Sequence, residues 1–338
     1  MHPIHGACQQ ADVASLSRTL FRAPLVLALL AAFAGTAQAS CGSAFCSINT
    51  DWGAGTTGLT EGSSLDVRYE DIKQDQPRAG SRKVAVGEIP GHHDEVHTFN
   101  KNLVATYNHT WASGWGLSVV LPFVDRDHLH IHNHHGGAEI IPEQWNFREL
   151  GDLRATGRYQ QSLPGSDAAP RTAGVSFGLK LPTGKTDVTN DQGDLAERSL
   201  QPGSGTTDLI LGGYYHQQLA ATGAAWFAQA QVQVPLNSHD DFKPGRQLVL
   251  DLGYAHPLGQ RLSALVQLNF VGKARDSGAN AEPDDSGGRF LYLSPGMSYK
   301  FAERFLGYAY YQQPLYQYVN GVQLTTRRAF VVGVSTQF

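Results

Sequence analysis

Between Asp125 and Gly137 the chain reads DRDHLHIHNHHGG, which sets His128, His130, His132 and His134 at every second position and adds His135 directly after. So dense a run of imidazole nitrogens is the chemistry of a site for zinc, copper or nickel. In an extended chain the alternating histidines share one face with neighbours roughly 7 Å apart, too far for adjacent rings to hold one ion unless Gly136 and Gly137 bend the chain. A second segment, GHHDEVH, contributes His92, His93, Asp94 and His97, and SHDD contributes His239, Asp240 and Asp241. The spacing matches no strict motif such as HExxH, so a catalytic metal is not indicated. Two other uses stay open: a solvated loop whose histidines meet lipopolysaccharide phosphate or nothing, and a proton-sensitive gate, since free imidazole titrates near about 6.5. The candidate metal ligands are His92, His93, His128, His130, His132, His134 and His135.

No enzyme is expected. A nucleophile would need a base held within reach, yet His109, His216 and His256 each stand alone. The stretch LPTGKTD lacks the GxxxxGK[ST] spacing of a phosphate loop and reads as a strand end turning into a loop.

The segments that must position the histidines are strands. Apolar residues alternate with polar ones in AWFAQAQVQV, where Trp226, Ala228, Ala230, Val232 and Val234 oppose Gln229, Gln231 and Gln233. RLSALVQLNFVG, GWGLSVVLPF and RQLVLDLGY repeat the pattern, and RAFVVGVSTQF alternates up to Phe338, like the last strand of bacterial outer-membrane barrels. About twelve strands follow from such windows, near 64–74, 95–110, 114–124, 148–162, 171–181, 206–219, 223–235, 245–256, 260–273, 287–300, 303–313 and 324–338. Tight connections (ASG, ATG, PLGQ, AER) alternate with long ones around 75–94, 125–147, 182–205 and 274–286, as periplasmic turns alternate with external loops. The fold expected is all-β, a transmembrane up-and-down antiparallel barrel, because only a closed sheet leaves no backbone edge unpaired in hydrocarbon. The His-rich stretch then falls in the second long external loop. Tyr69, Tyr107, Tyr159, Tyr254, Tyr292 and Tyr299 are expected in interfacial girdles.

With the apolar face turned to lipid, the lumen is lined by Asp66, Arg68, Glu70, Asn100, Asn102, Asp152, Arg154, Arg158, Lys180, Gln231, Asp251 and Gln267. Both signs of charge are present, which suits either lacing that shuts a narrow barrel or a wetted path for a small solute.

Ahead of the barrel, Arg18 and Arg22 precede the apolar run APLVLALLAAFAG and then AQA, the pattern of a signal peptide cleaved after residue 39. Residues 40–63 make a short periplasmic arm, and the barrel occupies 64–338. Cys41 and Cys46 are expected to form a disulfide in an oxidising compartment, with a thiolate metal or redox site as the alternative. The arm is too short for a folded plug, so any occlusion comes from the arm itself or from inward-folding loops. A net charge of -4 gives no reason to expect a nucleic-acid partner. The partners expected are outer-membrane lipid and lipopolysaccharide, the barrel assembly machinery and a small-molecule solute.

The segments LKLPTGKTDVTNDQGD and QPGSGTTDLILGGYYHQQL resemble the strand, loop and strand pattern of the MetA-pathway of phenol degradation family. The resemblance implies an outer-membrane, transporter-like barrel and uptake of small, often aromatic compounds; it assigns no functional residue. The histidine-rich segments are not part of that pattern. The reading that results is a channel or transporter in the outer membrane of a Gram-negative bacterium, with external histidines as candidate transition-metal ligands. The alternative is a metal-binding or assembly barrel with an occluded lumen.

Overall fold

The structure, a computed structural model, describes residues 47–50, 61–90, 94–132, 141–164 and 169–338. Its elements are β1 (Gly62–Ala79), β2 (Arg82–Lys83), β3 (Asp94–Thr110), β4 (Trp115–His132), β5 (Ile141–Leu150), β6 (Arg154–Leu163), β7 (Arg171–Lys180), β8 (Asp208–Gln218), β9 (Ala225–Pro235), β10 (Gln247–Pro257), β11 (Leu262–Lys273), β12 (Gly288–Ala302), β13 (Phe305–Val319) and β14 (Val322–Gln337). The signal segment, Cys41 and Cys46 lie outside the described residues.

Twelve strands make the wall, each antiparallel to its neighbours, and β14 returns to β1 in a ladder running from Ser64 opposite Gln337 to Ala79 opposite Val322. The cylinder is therefore closed, as the period-two pattern predicts. The two-residue β2 caps the tip of β1, and β5 pairs only with β4. Along β4 the partner changes: Trp115–Val120 face β6, whereas Phe123–His132 face β5.

Alternation sorts the side chains by solvent. On β10 Leu250, Leu252 and Tyr254 are exposed while Asp251 is buried; on β11 Val266 and Leu268 are exposed while Gln267 and Asn269 are buried. A soluble sandwich would show the reverse, so the outer surface is matched to lipid. Tyr69, Tyr107, Tyr254 and Tyr299 face outward. Tyr292 does not: it is buried against Phe290, Val271 and Val319 on the inner face, because it shares a register side with Ser294 and Ser298 rather than with the outward Met297 and Tyr299.

The wall is uneven in height. Strands β1, β3 and β4 have 18, 17 and 18 residues, but β6 and β7 have only 10. Four expected boundaries need correction. The strand expected over 148–162 is divided, with 148–150 closing β5 and β6 beginning at Arg154, and β1 continues to Ala79, β4 to His132 and β13 to Val319, which shortens the external loops predicted at 75–94 and 125–147. The cause is regular pairing: the outward Asp127, Leu129 and Ile131 of β4 are all matched in β5, at Asn146, Gln144 and Pro142. A strand with a partner on each side has no reason to stop.

Candidate functional site

The residues predicted to line the lumen stand on β1, β3, β6, β7, β9, β10 and β11, with Asp152 just after β5. Asp66, Glu70, Asn100, Asn102, Asp152, Arg158, Lys180, Asp251 and Gln267 are buried, and Arg68, Arg154 and Gln231 are partly buried. Most are laced together. Arg68 Nε donates to Glu70 at 2.9 Å, Asn102 Nδ2 to Glu70 at 3.2 Å, and Tyr308 Oη to both oxygens of Asp66. Arg158 Nη2 donates to Thr110 at 2.7 Å and Asn269 Nδ2 to Asp251 at 2.8 Å. A polar interior of this kind stays folded because nearly every donor has an acceptor.

Two chain segments lie in this interior. The first is residues 47–50 of the arm. The side-chain amide of Gln267 pairs with the Asn49 backbone in both directions, accepting from its N–H at 3.0 Å and donating to its carbonyl at 2.8 Å. Asn49 Nδ2 donates to Gln229 at 2.9 Å, Gln312 Nε2 to Ser47 Oγ at 2.9 Å, and Arg68 Nη1 to Thr50 Oγ1 at 3.2 Å. These partners stand on β11, β9, β13 and β1, so the segment is strung across the barrel. Ile48 is its apolar anchor, packed with Leu265, Tyr308, Tyr310 and Val331.

The second is the segment 181–207 between β7 and β8, which folds inward over the low part of the wall. Its two ends meet at Asp152, which follows β5. Asp152 Oδ1 accepts from Gly184 N at 3.0 Å, and Oδ2 accepts from Ser204 N and Oγ, each at 3.0 Å, and from Lys180 Nζ at 2.8 Å. Gly184 and Gly203 cross so closely that a Cβ on Gly203 would lie 2.4 Å from the Gly184 carbonyl oxygen, which requires glycine there. These residues belong to LPTGKTD and QPGSGTTD, so the motifs that carry the family resemblance form the foot of the inward segment. Their composition signals a tight crossing; nothing in them names Asp152 as its centre.

Further along, the segment packs on the inner face of β4 and β5. Val124, Trp145, Phe147, Ala196 and Leu200 form a buried apolar cluster, Trp145 Nε1 donates to the Asp194 carbonyl at 2.9 Å, and Arg126 donates to the Leu200 carbonyl. Between this segment and the wall lies a cavity of about 230 Å³, lined among others by Arg68, Arg126, Arg154, Lys180, Val104, Val120 and Pro122.

The histidines divide. His128 and His130 are buried on the inner face of β4, not carried on an external loop. Their rings stand 5.6 Å apart, edge to face, and both contact Trp145. His128 Nδ1 is 2.8 Å from Thr98 Oγ1; His130 Nε2 is 2.8 Å from Glu143, and its Nδ1 is 3.7 Å from Glu197 on the inward segment. His97 faces outward, stacked on Phe99 and 3.6 Å from Asp127. His92, His93, His134 and His135 lie outside the described residues, as does the side chain of His132. Among the described residues no group of three or more His, Cys, Asp or Glu side chains is placed to hold a metal ion.

Comparison with known proteins agrees with the architecture. The family described as MetA-pathway of phenol degradation matches over residues 80–328. The crystal structure of an outer-membrane channel from Pseudomonas putida F1 superposes with a TM-score of 0.63 at 14% identity, covering 83% of this chain and 97% of that one. Looser likenesses include the NanC porin, with a TM-score of 0.43 at 12% identity over 81% of this chain and 100% of that one. Another is the Ralstonia pickettii toluene transporter TbuX, with a TM-score of 0.35 at 11% identity over 83% and 90%. At these identities the likeness is one of fold alone. No curated protein sequence matches the chain.

Proposed function

The chain belongs to the MetA-pathway of phenol degradation family, and from that premise we propose that this outer-membrane barrel is a gated channel for a small solute. Its passage is narrowed by residues 47–50 and by the inward segment 181–207. The observation that carries the reading is how these two segments are held. Both hang on side-chain hydrogen bonds and on one apolar cluster each, rather than on a sheet ladder, and such attachments open at far lower cost than a strand can be peeled from the wall. A polar lumen behind them supplies a wetted path.

Planar-bilayer recording of the purified protein tests this. Small, fluctuating steps of current are expected. A protein that inserts but carries no current in any applied potential would favour the alternative of a barrel permanently shut.

The rim is proposed to bind a divalent transition metal. Asp94 pairs with Ile131 and His132 with Ile141, so the described residues next in sequence to His92, His93 and to His134, His135 are neighbours on the wall. Calorimetric titration with zinc should give at least one site that disappears when His92, His93, His134 and His135 are replaced together by Asn. Binding unchanged in that variant would dismiss the rim as a metal site. Retention of the site together with its loss in His130→Asn would move it to the interior.

A further inference from the structure

We propose that the cavity beneath the inward segment binds a small organic anion, a carboxylate attached to an apolar body, with Arg154 as the residue that receives the carboxylate. The inference deepens the channel reading and rests on it for its meaning, since the anion would be the solute that the passage selects.

The first ground is charge. Six cationic side chains line the cavity (Arg68, Arg126, Arg154, Lys180, Arg198 and Lys273), against two carboxylates, Asp152 and Asp208. Four of the six are answered: Arg68 by Glu70, Lys180 by Asp152 and Asp208, Arg198 by Asp240, and Lys273 by Asp276. Arg126 and Arg154 have no carboxylate within ion-pair distance among the described residues. Arg126 is only 2% exposed and is held by Asn100 Oδ1 at 2.7 Å and by the Leu200 carbonyl. A buried guanidinium without a counter-charge is costly, and buried charges are ordinarily paired.

The second ground is the hydrogen-bond inventory at Arg154. Its side chain makes no hydrogen bond among the described residues, although a guanidinium carries five donors in a rigid fork shaped to receive a carboxylate. The nearest acidic groups are already engaged. Asp152 accepts from Gly184, Ser204 and Lys180; Asp208 accepts from Thr206 at 2.6 Å and from Gln233. The fork therefore lines the cavity with no acceptor among the described residues.

The third ground is the floor. Arg154 stands opposite Val120 across the β4–β6 ladder, and Val120, Pro122 and Val104 present an apolar surface to the same space. A bare inorganic anion would leave that surface in contact with water. An aromatic or branched aliphatic acid covers it while its carboxylate meets the guanidinium, the usual division of labour in a small-molecule pocket.

Calorimetric titration of the purified, detergent-folded protein with benzoate, benzamide and acetate tests the inference. Benzoate is expected to bind at least about tenfold more tightly than uncharged benzamide, the discrimination given by a charge-assisted hydrogen bond, and more tightly than acetate. In Arg154→Gln the preference for benzoate over benzamide should vanish. Because the Arg154 side chain makes no hydrogen bond among the described residues, that variant is expected to keep the heat-dependent gel shift of a folded barrel, and the wild-type comparison decides even if it does not. Equal binding of benzamide and benzoate, equal binding of acetate and benzoate, or a preference that survives in folded Arg154→Gln would each overturn the site. Conductance separates the two readings: benzoate binding without current would sink the channel and leave the site, and current without benzoate binding would do the opposite.

Discussion

Asp152→Ala is expected to lower the stability of the folded barrel by about 3 kcal/mol and to raise its ionic current in the same preparation. Four donors converge on this one carboxylate, three of them from the two ends of the inward segment. Removing it unties the foot of that segment and leaves the Lys180 ammonium, 6% exposed, with Asp208 at 3.4 Å as its remaining counter-charge. Stripping one partner from a buried ion pair costs about 3–5 kcal/mol, and the surviving Asp208 contact holds the loss toward the lower end. Urea-dependent refolding into lipid vesicles gives the first number and single-channel recording the second. Asp152→Asn, which keeps an acceptor for Gly184 or Ser204, should fall between. A variant with wild-type current would show that the foot does not control the passage.

The second large effect is expected at Ile48. Burying an isoleucine contributes about 1.5–3 kcal/mol, and in Ile48→Asp that gain is replaced by the cost of placing a carboxylate among Leu265, Tyr310 and Val331. At 1.4 kcal/mol per factor of ten, the equilibrium between docked and released arm should move by more than about a hundredfold. Single-channel current should rise while barrel stability changes little, because the arm adds no strand to the wall. Gln267→Ala, which removes both hydrogen bonds to the Asn49 backbone, is expected to act in the same direction more weakly. An Ile48→Asp protein whose current matches that of the parent would mean that residues 47–50 do not obstruct the pore.

Where the wall meets lipid on one side and water on the other, the sequence was transparent. AWFAQAQVQV and RLSALVQLNFVG declare both faces by alternation, and β9 and β11 fall within two residues of their expected limits. Legibility failed where that contrast fails. On β5 the inward positions Trp145 and Phe147 are apolar because a folded-in segment covers them, so IPEQWNF lost its lipid-type signature and read as loop, with only the final REL assigned to a strand. At His128 and His130 the same every-second-residue spacing that suggested metal chemistry was the mark of a continuing strand, with Leu129 and Ile131 between. The lumen residues could be named from their register parity. That Arg126, which read as part of a loop, and Arg154 would stand beyond ion-pair distance of every carboxylate among the described residues could not be read, since it depends on where Glu70, Asp208 and Asp240 fall after the chain has folded.

The seam between β1 and β14 has a consequence for biogenesis. Every other wall contact joins neighbours along the chain, but Asp66 must find Ser335 and Ile72 must find Ala329, and so remote a pairing forms late. Until then the half-built sheet carries two raw edges, each a template for aggregation in water and each prohibitively unsatisfied in hydrocarbon. Until the seam zips, the unfinished sheet is therefore open to self-association, and the speed with which the first and last strands meet sets how long that exposure lasts.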